Sequence, residues 1–552
     1  MRRVPRHRRL LTLGANALLR ASFRAEAARF RRALVPGTAG EEALRLGQLR
    51  LLRQTAELDA DTVYGRERGF HSLLDYEGDD FLAAWRDRVP LETWSSLEPY
   101  VERTAAGEPA VLTSERIRRL EPTSGSGGTV KLIPYGERLR RAFARGIAAW
   151  LSNLYEAHPR LMRTRSYWSV TPVGDRPARS AGGLAIGFDD ETDYLGRLEA
   201  RAMRAVFVSR PGLAAERDME RFFRHCLEDL VASPDLGLIS IWNPSFLLRL
   251  LEHLERLVES DRNFAVYRSL EGNWAKLWPE LEVISCWADA AAAQDARQLE
   301  LLFPQARLQP KGLLATEGFV SLPWADGSEP LLAWRSHHFE FLPLAGDGTV
   351  NTNDAKSASD LEPGARYEVV ITNGGGLCRY RLGDRIEVSG KLGALPRFRF
   401  IGRGQASVDL HGEKLDEASV TQILDRLLPA AGGGLGLCLL APHPSRRHYL
   451  LFCDSARLAK WPEFSELEAA LDRELREHYH YDYCRRLGQL EQARVVPVPG
   501  DAEGRFVAAE LAEGRRLGDL KPLRLSGRLD WAERLGVSAA IMYGIQKGRA
   551  PA

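Results

Sequence analysis

The feature that most limits the fold of this chain is a glycine- and hydroxyl-rich run between two short apolar stretches, Thr123-Ser124-Gly125-Ser126-Gly127-Gly128-Thr129-Val130-Lys131. The pattern over residues 110–135 predicts a strand, a turn and a second strand. Glycines let the backbone turn tightly and present N–H groups to an anion, and hydroxyl groups add further donors. The run therefore favours a phosphate-binding loop, with a plain surface hairpin as the alternative.

This run differs from two common nucleotide-binding motifs. A Walker loop needs a glycine directly before its lysine, whereas Lys131 follows Thr129 and Val130. Val130 also occupies the place of the third glycine of the dinucleotide-binding motif. The sequence thus predicts a phosphate site of another class, and it leaves the role of Lys131 open.

Two later segments each carry a carboxylate beside a glycine. In Thr316-Glu317-Gly318, an apolar stretch ends in a carboxylate, and Mg²⁺ usually binds through one or two carboxylates plus substrate phosphates. In Tyr380-Arg381-Leu382-Gly383-Asp384, the final carboxylate can accept hydrogen bonds from two ribose hydroxyls. An ordinary turn at 316–318 and a surface turn that pairs Arg381 with Asp384 are the alternatives.

Composition excludes several other classes of protein. The 552 residues include 76 basic and 74 acidic side chains, for a net charge of +2, so the excess of positive charge that nucleic-acid binding needs is missing. The length predicts two or more domains. Six cysteines without a C-x-x-C pair indicate neither a disulfide scaffold nor a zinc ribbon, and they favour a cytoplasmic location.

The N-terminus has an unusual charge pattern. Residues 1–32 hold ten arginines, five leucines and a single acidic residue, Glu26. The segment predicts a basic helix packed on the domain, while a targeting helix or a helix on a membrane surface stays open. No apolar run approaches the ~20 residues that a bilayer span requires, so any membrane contact would be peripheral.

The rest of the chain predicts two domains, with a boundary between residues 405 and 406. Residues 1–405 form the larger one, including a basic helical extension at 1–45 and long, mainly helical stretches at 136–161 and 212–260. Strands of a mixed sheet are predicted from 280, among them one at 367–372. Residues 406–552 predict a small α+β domain with three strands and a helix at 466–479. Ser465 and Glu468, at capping-box spacing, are expected to open that helix.

The order of these motifs resembles that of acyl-adenylate-forming enzymes: the loop near 125, Thr316-Glu317, Tyr380–Asp384, then Arg403 and a late lysine, Lys521. Within that superfamily the chain most resembles the acyl acid amido synthetases of the auxin-responsive (Gretchen Hagen) promoter family. The resemblance extends over further segments, namely 61–66, 89–90, 100–103, 242–245, 281–287, 409–417 and 518–522. Residues 1–45 lie outside it.

The resemblance implies an α/β fold of mixed α/β and α+β type. A large adenylate-forming domain of mixed sheets and helices would be followed by a small mobile α+β domain. It also implies a ligase that uses ATP and Mg²⁺ to convert a carboxylic acid into an acyl-adenylate with release of pyrophosphate. Transfer to the amine of an amino acid would then give an amide and AMP. An acyl-coenzyme A ligase and a non-catalytic binding descendant are the alternatives.

The resemblance also assigns roles to individual residues. Phosphates would be held by the loop residues, which are Ser124, Gly125, Ser126, Gly127, Gly128 and Thr129. Thr316 would contact an ATP oxygen, and Glu317 would bind Mg²⁺. Asp384 would bind the ribose hydroxyls with Tyr380 beside the adenosine, and Arg403 would lie at the hinge between the domains and reach the ribose or a phosphate.

Lys521 would be a catalytic residue together with Glu317, because it would neutralise charge that develops on the α-phosphate and the carboxylate. Lysine is scarce here, with nine among the 76 basic residues, which strengthens this choice. The chain departs from plant members in having a shorter loop, Thr316 in place of a serine, and an unrelated segment at 160–240. The identity of the acid therefore cannot be carried over.

Other chemistry is less well supported by the sequence. His337-His338 lack the aspartate of the condensing acyltransferases, and no G-x-S-x-G motif is present. The histidines and tyrosines at 478–484 favour packing and surface exposure over a metal site. Trp168, Trp242 and Trp287 suit either a substrate pocket or the core.

Overall fold

A computed structural model of the chain describes residues 4–537 apart from 124–130, 170–178, 188–195, 211, 214–215, 217, 290–291, 325–328, 346–348, 404–406, 429–436, 459–462 and 512–522. It divides into two compact units, one made of Met1–Thr123 with Lys131–Gly404 and one that extends from Gln405. Of the predicted site residues, Ser124–Thr129 and Lys521 lie outside the described residues. For Arg403 the structure describes the backbone.

The described helices of the first unit are α1 Arg6–Phe30, α2 Thr38–Asp59, α3 Val63–Glu67, α4 Phe70–Leu73, α5 Gly78–Arg88, α6 Trp94–Ala105, α7 Glu137–Ala157, α8 Arg197–Val206, α9 Met219–Val231, α10 Pro244–Ser260 and α11 Ala293–Leu302. Its strands are β1 Arg119–Pro122, β2 Leu132–Tyr135, β3 Arg165–Trp168, β4 Ala185–Ile186, β5 Leu236–Ser240, β6 Val283–Cys286, β7 Arg307–Pro310, β8 Leu314–Ala315, β9 Gly318–Phe319, β10 Ser321–Leu322, β11 Leu331–Leu332, β12 His338–Pro343, β13 Arg366–Thr372, β14 Tyr380–Leu392 and β15 Leu395–Arg403.

The N-terminal helix α1 is packed on the first unit, as the sequence predicts. Its buried residues recur every three or four positions and include Leu19 and Phe23, which join the main hydrophobic core. The buried amide of Asn16 donates to the main-chain oxygens of Leu161 and Thr164 at 3.1 and 3.2 Å. One face of this basic helix is therefore part of the domain interior. In the described part of the chain, no helix is long and apolar enough to cross a membrane.

A four-stranded parallel sheet forms one layer of the first unit, in the order β3-β5-β6-β7. Helices connect its strands, so the carboxyl ends of all four meet at one edge, where α/β proteins bind ligands. The range 212–260 is mainly helical, as the sequence predicts, but β5 separates α9 from α10, and the sequence did not indicate this strand. All five residues of β5 are buried, and a short apolar strand covered on both faces has no alternating pattern.

A six-stranded sheet in the order β10-β11-β15-β14-β13-β12 forms a second layer, and its strand pairs are antiparallel. Two smaller elements carry predicted site segments. The strands β1 and β2 pair around the glycine-rich run, and β8 and β9 form a short hairpin around residues 316–317. The two strands predicted within 110–135 and the strand predicted at 367–372 are confirmed, and the turn predicted between the first two lies outside the described residues.

The second unit has an α+β composition. Its described helices are α12 Glu417–Leu427, α13 Ser455–Leu458, α14 Phe464–Leu475, α15 Tyr479–Arg486, α16 Ala502–Leu511 and α17 Trp531–Arg534, and its strands are β16 Ser407–Val408, β17 Leu415–Asp416, β18 Cys438–Pro442, β19 Tyr449–Asp454 and β20 Arg494–Val498. The three strands β18, β19 and β20 form one sheet. The predicted capping box is wrong, because the Glu468 carboxylate accepts instead from the main-chain N–H of Val495 in β20.

Candidate active site

The strands β1 and β2 fix the two ends of the glycine-rich run. The main-chain N–H of Thr123 donates to the main-chain oxygen of Lys131 at 2.8 Å. Beyond it, Lys131 donates from Nζ to the Tyr380 hydroxyl at 3.2 Å, and its ammonium lies 5.7 Å from the centre of the Trp94 ring. Lys131 thus joins the loop segment to the first residue of the Tyr380–Asp384 motif. The phosphate-binding role of residues 124–129 stays a prediction.

Thr316 and Glu317 form the two-residue turn of the β8–β9 hairpin, in which Ala315 pairs with Gly318. Glu317 is only 8% exposed, so its carboxylate lies close to the protein interior. The main-chain N–H of Phe319 donates to Nε2 of His337 at 3.0 Å. Burial lowers the pKa of His337 to about 3, so this histidine is neutral near pH 7 and can accept that hydrogen bond.

Asn373 connects the hairpin to the glycine turn that precedes Tyr380. Its side-chain N–H donates to the main-chain oxygen of Glu317 at 2.6 Å. Its side-chain oxygen accepts from the main-chain N–H groups of Gly375 and Leu377 at 2.9 and 3.2 Å. Sequence reasoning missed this buried residue, although an asparagine directly before three glycines at the end of an apolar strand was a usable signal.

The glycine turn also packs tightly against the segment that follows the predicted phosphate loop. A Cβ on Gly375 would lie 2.7 Å from the main-chain oxygen of Pro134 in β2, and one on Gly374 would lie 2.7 Å from Cβ of Arg138. Gly376 has a φ of +90°, a conformation that favours glycine. Only glycines allow this approach, which brings together the regions around residues 131, 317 and 380.

The Tyr380–Asp384 motif forms a bulge inside β14. Arg381 and Arg385 pair with Val370 and Glu368 of β13, so the three residues between them in β14 oppose a single residue, Val369, of the neighbouring strand. Gly383 within the bulge has a φ of +76°. Arg381 donates from Nε to Glu368 at 2.6 Å, and the predicted alternative of a surface turn is wrong.

Asp384 itself is buried in this strand, with 1% of its surface exposed. It lies directly opposite Arg403 of β15 in the strand register. The structure therefore brings Tyr380, Asp384 and the backbone of Arg403 together on adjacent strands. Their predicted contacts with adenosine and ribose stay predictions.

A second residue that the sequence did not single out holds the start of β14. Arg379 has a φ of +46°, which is unfavourable for a side chain with a Cβ. Its guanidinium donates to the buried Glu340 carboxylate at 2.9 Å and to the main-chain oxygens of Arg86 and Val89, both at 2.8 Å. These hydrogen bonds hold the strained backbone immediately before Tyr380.

The carboxyl edge of the parallel sheet carries an aromatic cluster, which we call the tryptophan cluster. Trp168 ends β3, while Trp242 and Trp287 follow β5 and β6, and their rings are half-buried. Lys311 follows β7 and lies with its ammonium 4.3 Å from the centre of the Trp242 ring. The same ammonium donates to the hydroxyl of Ser240 at 2.9 Å. A cation and several indole faces thus share the ligand-binding edge of this sheet.

Helix α7 connects the tryptophan cluster to the Glu317 hairpin. Gly146 of α7 lies against the ring of Phe319, so closely that a Cβ on this glycine would be 2.7 Å from a ring carbon. Trp150, one turn further along, lies 5.5 Å from Trp168 and donates from Nε1 to Gln309 at 2.9 Å. Gly146 and Trp150 are about one helical turn apart, a rise of ~5.4 Å. The hairpin and the cluster therefore contact neighbouring turns of one helix. The sequence did not indicate Trp150 or Lys311 as members of this cluster.

Two family models match the chain, the GH3 family N-terminal domain over residues 42–263 and the GH3 family central domain over residues 331–403. Together they cover just over half of the chain. The chain belongs to the GH3 family. The family predicted from the motifs is thus confirmed, and with it the enzyme class, an ATP-using ligase that forms amide bonds through an acyl-adenylate.

Curated relatives of this GH3 protein carry amido synthetase names. The indole-3-acetic acid-amido synthetase GH3.8 of Oryza sativa subsp. indica is 25% identical over 435 residues, which cover 69% of each chain. The indole-3-acetic acid-amido synthetase GH3.4 of Arabidopsis thaliana is 23% identical over 440 residues, or 70% of this chain and 72% of the relative.

A solved structure of the GH3.15 acyl acid amido synthetase in complex with 2,4-DB shares the fold. It is 18% identical to this chain, with a TM-score of 0.57 and coverage of 89% of this chain and 93% of that one. A second structure of that synthetase has a TM-score of 0.55 at 19% identity. The predicted α/β class is confirmed by this similarity.

Proposed function

We propose that this GH3-family ligase joins a carboxylic acid with an aryl or other planar apolar group to the amine of an amino acid. The acid carboxylate attacks the α-phosphate of ATP, so that an acyl-adenylate forms and pyrophosphate leaves. The amine then attacks the acyl carbonyl, giving an amide and AMP. Activation is needed because a free carboxylate is a poor electrophile, whereas AMP is a good leaving group.

The observation that carries the site assignment is the position of Asn373. One buried side chain holds both the Glu317 hairpin and the glycine turn before Tyr380, and that turn packs on the strand after residues 124–130. Three segments far apart in the sequence therefore meet around one residue. Preorganised groups of this kind are what transfer of a nucleotidyl group requires.

We assign the phosphates of ATP to residues 124–129 and a magnesium ion to Glu317, with Thr316 on an ATP oxygen. A single carboxylate on a two-residue turn suits Mg²⁺, which takes its remaining ligands from phosphate oxygens and water. Among the described residues there is no group of three or more metal-binding side chains, so phosphates would supply much of the coordination. When bound, the ion would neutralise charge on the phosphates.

We assign the nucleoside to the β14–β15 region. Asp384 would accept hydrogen bonds from the ribose hydroxyls, Tyr380 would lie beside the adenosine, and Arg403 would approach the ribose or a phosphate. The support is that Asp384 and Arg403 are opposite each other on adjacent strands, and that the Gly383 bulge interrupts regular pairing there. A bulge re-aims side chains at a strand position, which suits a binding residue.

Residues 406–552 would act as a mobile domain that brings Lys521 to the reacting atoms. Its ammonium would stabilise the negative charge that builds on the α-phosphate and the carboxylate, and rotation of the domain between the half-reactions would exclude water. The support for this assignment is the motif order of the sequence, in which Lys521 is the late lysine.

The tryptophan cluster is the proposed binding site for the acid. Indole faces suit a planar ring, and the Lys311 ammonium adds positive charge at the same edge. Two curated relatives are named for indole-3-acetic acid, which also carries a ring system. The hairpin that carries Glu317 contacts α7 through Phe319, and the cluster contacts the next turn of α7 through Trp168, a spacing that suits an acid whose ring lies in the cluster and whose carboxylate faces ATP.

ATP–pyrophosphate exchange with the full chain tests the proposal. A panel of aryl, indole and fatty acids is offered with Mg·ATP, and exchange is expected with ring-bearing acids. Absence of exchange with every acid would overturn the adenylation mechanism for this chain. In a second assay, product formation with pooled amino acids is compared with that with coenzyme A, and a thioester product would favour the acyl-coenzyme A ligase alternative.

A further inference from the structure

The outward face of α1 carries exposed leucines in a helix whose other face is buried. Leu10, Leu11 and Leu18 are 68%, 69% and 39% exposed. Leu11 and Leu18 are seven residues apart and therefore point in nearly the same direction, with Leu10 beside them. The small residues Gly14, Ala17 and Ala21 on the same side are also exposed. These side chains form a continuous apolar stripe that no described residue of the first unit covers.

Arginines of α1 border this stripe, and no acidic residue of α1 does. Arg6, Arg20 and Arg24 are exposed and make no ion pair with any residue that the structure describes. The one acidic residue of α1 is Glu26, which is half-buried and pairs with Arg335 of the domain. The outward face of α1 is therefore apolar along its middle and positively charged at its edge, and it carries no acidic residue of α1.

Helix α8, which packs against α1, also has exposed leucine and arginine side chains. Leu198 of α8 is 55% exposed, and Arg201 and Arg204 on this helix are exposed as well. Two neighbouring helices thus present leucines together with arginines. A soluble monomer rarely keeps such apolar residues grouped on adjacent elements, since single exposed leucines are the usual pattern.

We propose that this surface, made of the outward face of α1 and the exposed residues of α8, binds the headgroup region of an anionic phospholipid bilayer. The leucines would enter the boundary between headgroups and acyl chains, while the arginines would pair with lipid phosphates. A helix that is apolar along one stripe and basic at its edge lies in the plane of such an interface. Anionic lipid attracts each nearby basic residue, so charge and apolar area act together.

The proposal goes beyond the amide-forming activity and does not depend on it. The outward face of α1 contains no residue assigned above to ATP, magnesium or the acid. Its consequence is that the ligase would work at a membrane surface, where acids with apolar groups accumulate. Membrane binding and ATP–pyrophosphate exchange can therefore be measured separately on the same variants.

Vesicle sedimentation of the full chain tests the proposal. The probes are vesicles of phosphatidylcholine alone and vesicles of phosphatidylcholine and phosphatidylglycerol in equal amounts. We expect sedimentation with the anionic vesicles only, weakened by added salt. Two triple variants, L10S/L11S/L18S and R6Q/R20Q/R24Q, should each lower the partition coefficient by about tenfold or more.

Matched controls replace exposed residues elsewhere on the first unit. Leu301→Ser on α11 and Arg50→Gln on α2 should sediment like the parent chain. The triple variants should keep the melting temperature and the exchange activity of the parent, because all six side chains are exposed. No sedimentation of the parent, equal sedimentation with both vesicle types, or unchanged sedimentation of the leucine variant would each overturn the proposal. Concentration-dependent dimerisation that the leucine variant abolishes, without vesicle binding, would assign the surface to a second copy of the chain instead.

Discussion

Asn373 donates its side-chain N–H to the main-chain oxygen of Glu317 at 2.6 Å, so a residue after one sheet strand positions a carboxylate on a separate hairpin. The same side chain accepts two N–H groups from the glycine turn. It has no direct role in the proposed chemistry. Its importance is that it fixes the distance between two segments that are both assigned to ATP.

Replacement of Asn373 by alanine is expected to lower both stability and adenylation. A buried main-chain oxygen and two main-chain N–H groups would lose their partner, at about 1–3 kcal/mol for an unsatisfied buried group. Urea unfolding and ATP–pyrophosphate exchange measure the two effects. Asn353→Ala, at an exposed loop position, is the control and should behave like the parent. A variant with full exchange activity would show that Asn373 is only structural.

Glu317→Gln is expected to reduce adenylation by about 10²–10³-fold, the usual effect of removing one charged group from a transition-state site. The exchange rate should regain part of its value at high magnesium, since the loss is in metal affinity. Folding should be unchanged because glutamine keeps the size of the side chain. Glu300→Gln on α11 controls for loss of one surface charge. Unaltered dependence on magnesium would separate Glu317 from the metal.

Lys521→Ala is expected to lower the rate of pyrophosphate release by about 10²–10³-fold without changing the unfolding midpoint. Rapid-quench measurement of the first turnover reports this step directly. The control is Lys391→Ala, which removes a different lysine; Lys391 is exposed, and its ammonium donates to the main-chain oxygen of Ser359. An unchanged rate in the Lys521 variant would remove this residue from the mechanism.

Trp242→Ala is expected to alter the enzyme's preference among acids and to have little effect on ATP binding. Loss of the indole face removes apolar contact with a ring-bearing acid, whereas a short aliphatic acid never makes that contact. The ratio of kcat/KM between an aryl acid and a short aliphatic acid should fall by about tenfold or more, with the KM for ATP unchanged. Trp242→Phe should restore most of the ratio. Equal losses for both acids would place the acid elsewhere.

Acid pH is expected to destabilise the protein through two buried histidines. Burial lowers the pKa of His337 to about 3 and that of His338 to about 4, both below the ordinary value of 6.5. As the pH falls below about 6.5, these histidines take up protons in the unfolded chain but stay neutral in the folded one. Each histidine therefore lowers the free energy of unfolding by up to about 1.4 kcal/mol for every pH unit.

Urea unfolding at several pH values between 7 and 4 tests this pH dependence. His337→Gln should reduce the slope, because glutamine can accept from the Phe319 N–H without taking up a proton. The exposed His71→Gln is the control and should leave the slope as in the parent. An identical slope in the His337 variant would assign the acid sensitivity to other groups.

Local patterns in the sequence were enough to predict the β1–β2 hairpin, the strand at 367–372 and the helical N-terminus. The structural features that these local patterns did not predict all depend on contacts between residues that are distant in the sequence. Strand β5 is covered on both faces, Glu468 bonds to a strand rather than capping its own helix, and Arg379 is held in a strained conformation by Glu340. No window of sequence contains both members of such pairs.

Asn16 of α1 donates hydrogen bonds to three main-chain oxygens of the first unit. The packed domain therefore begins earlier in the chain than the segment that the family model matches. The family model begins at residue 42, yet the turn at 161–164 receives its hydrogen bonds from α1. A protein shortened to the family limits would expose the core sites that Leu19 and Phe23 fill and leave those carbonyls without this donor. The packed domain is thus larger than the segment that defines the family, because α1 supplies part of its core and the donor for one of its turns.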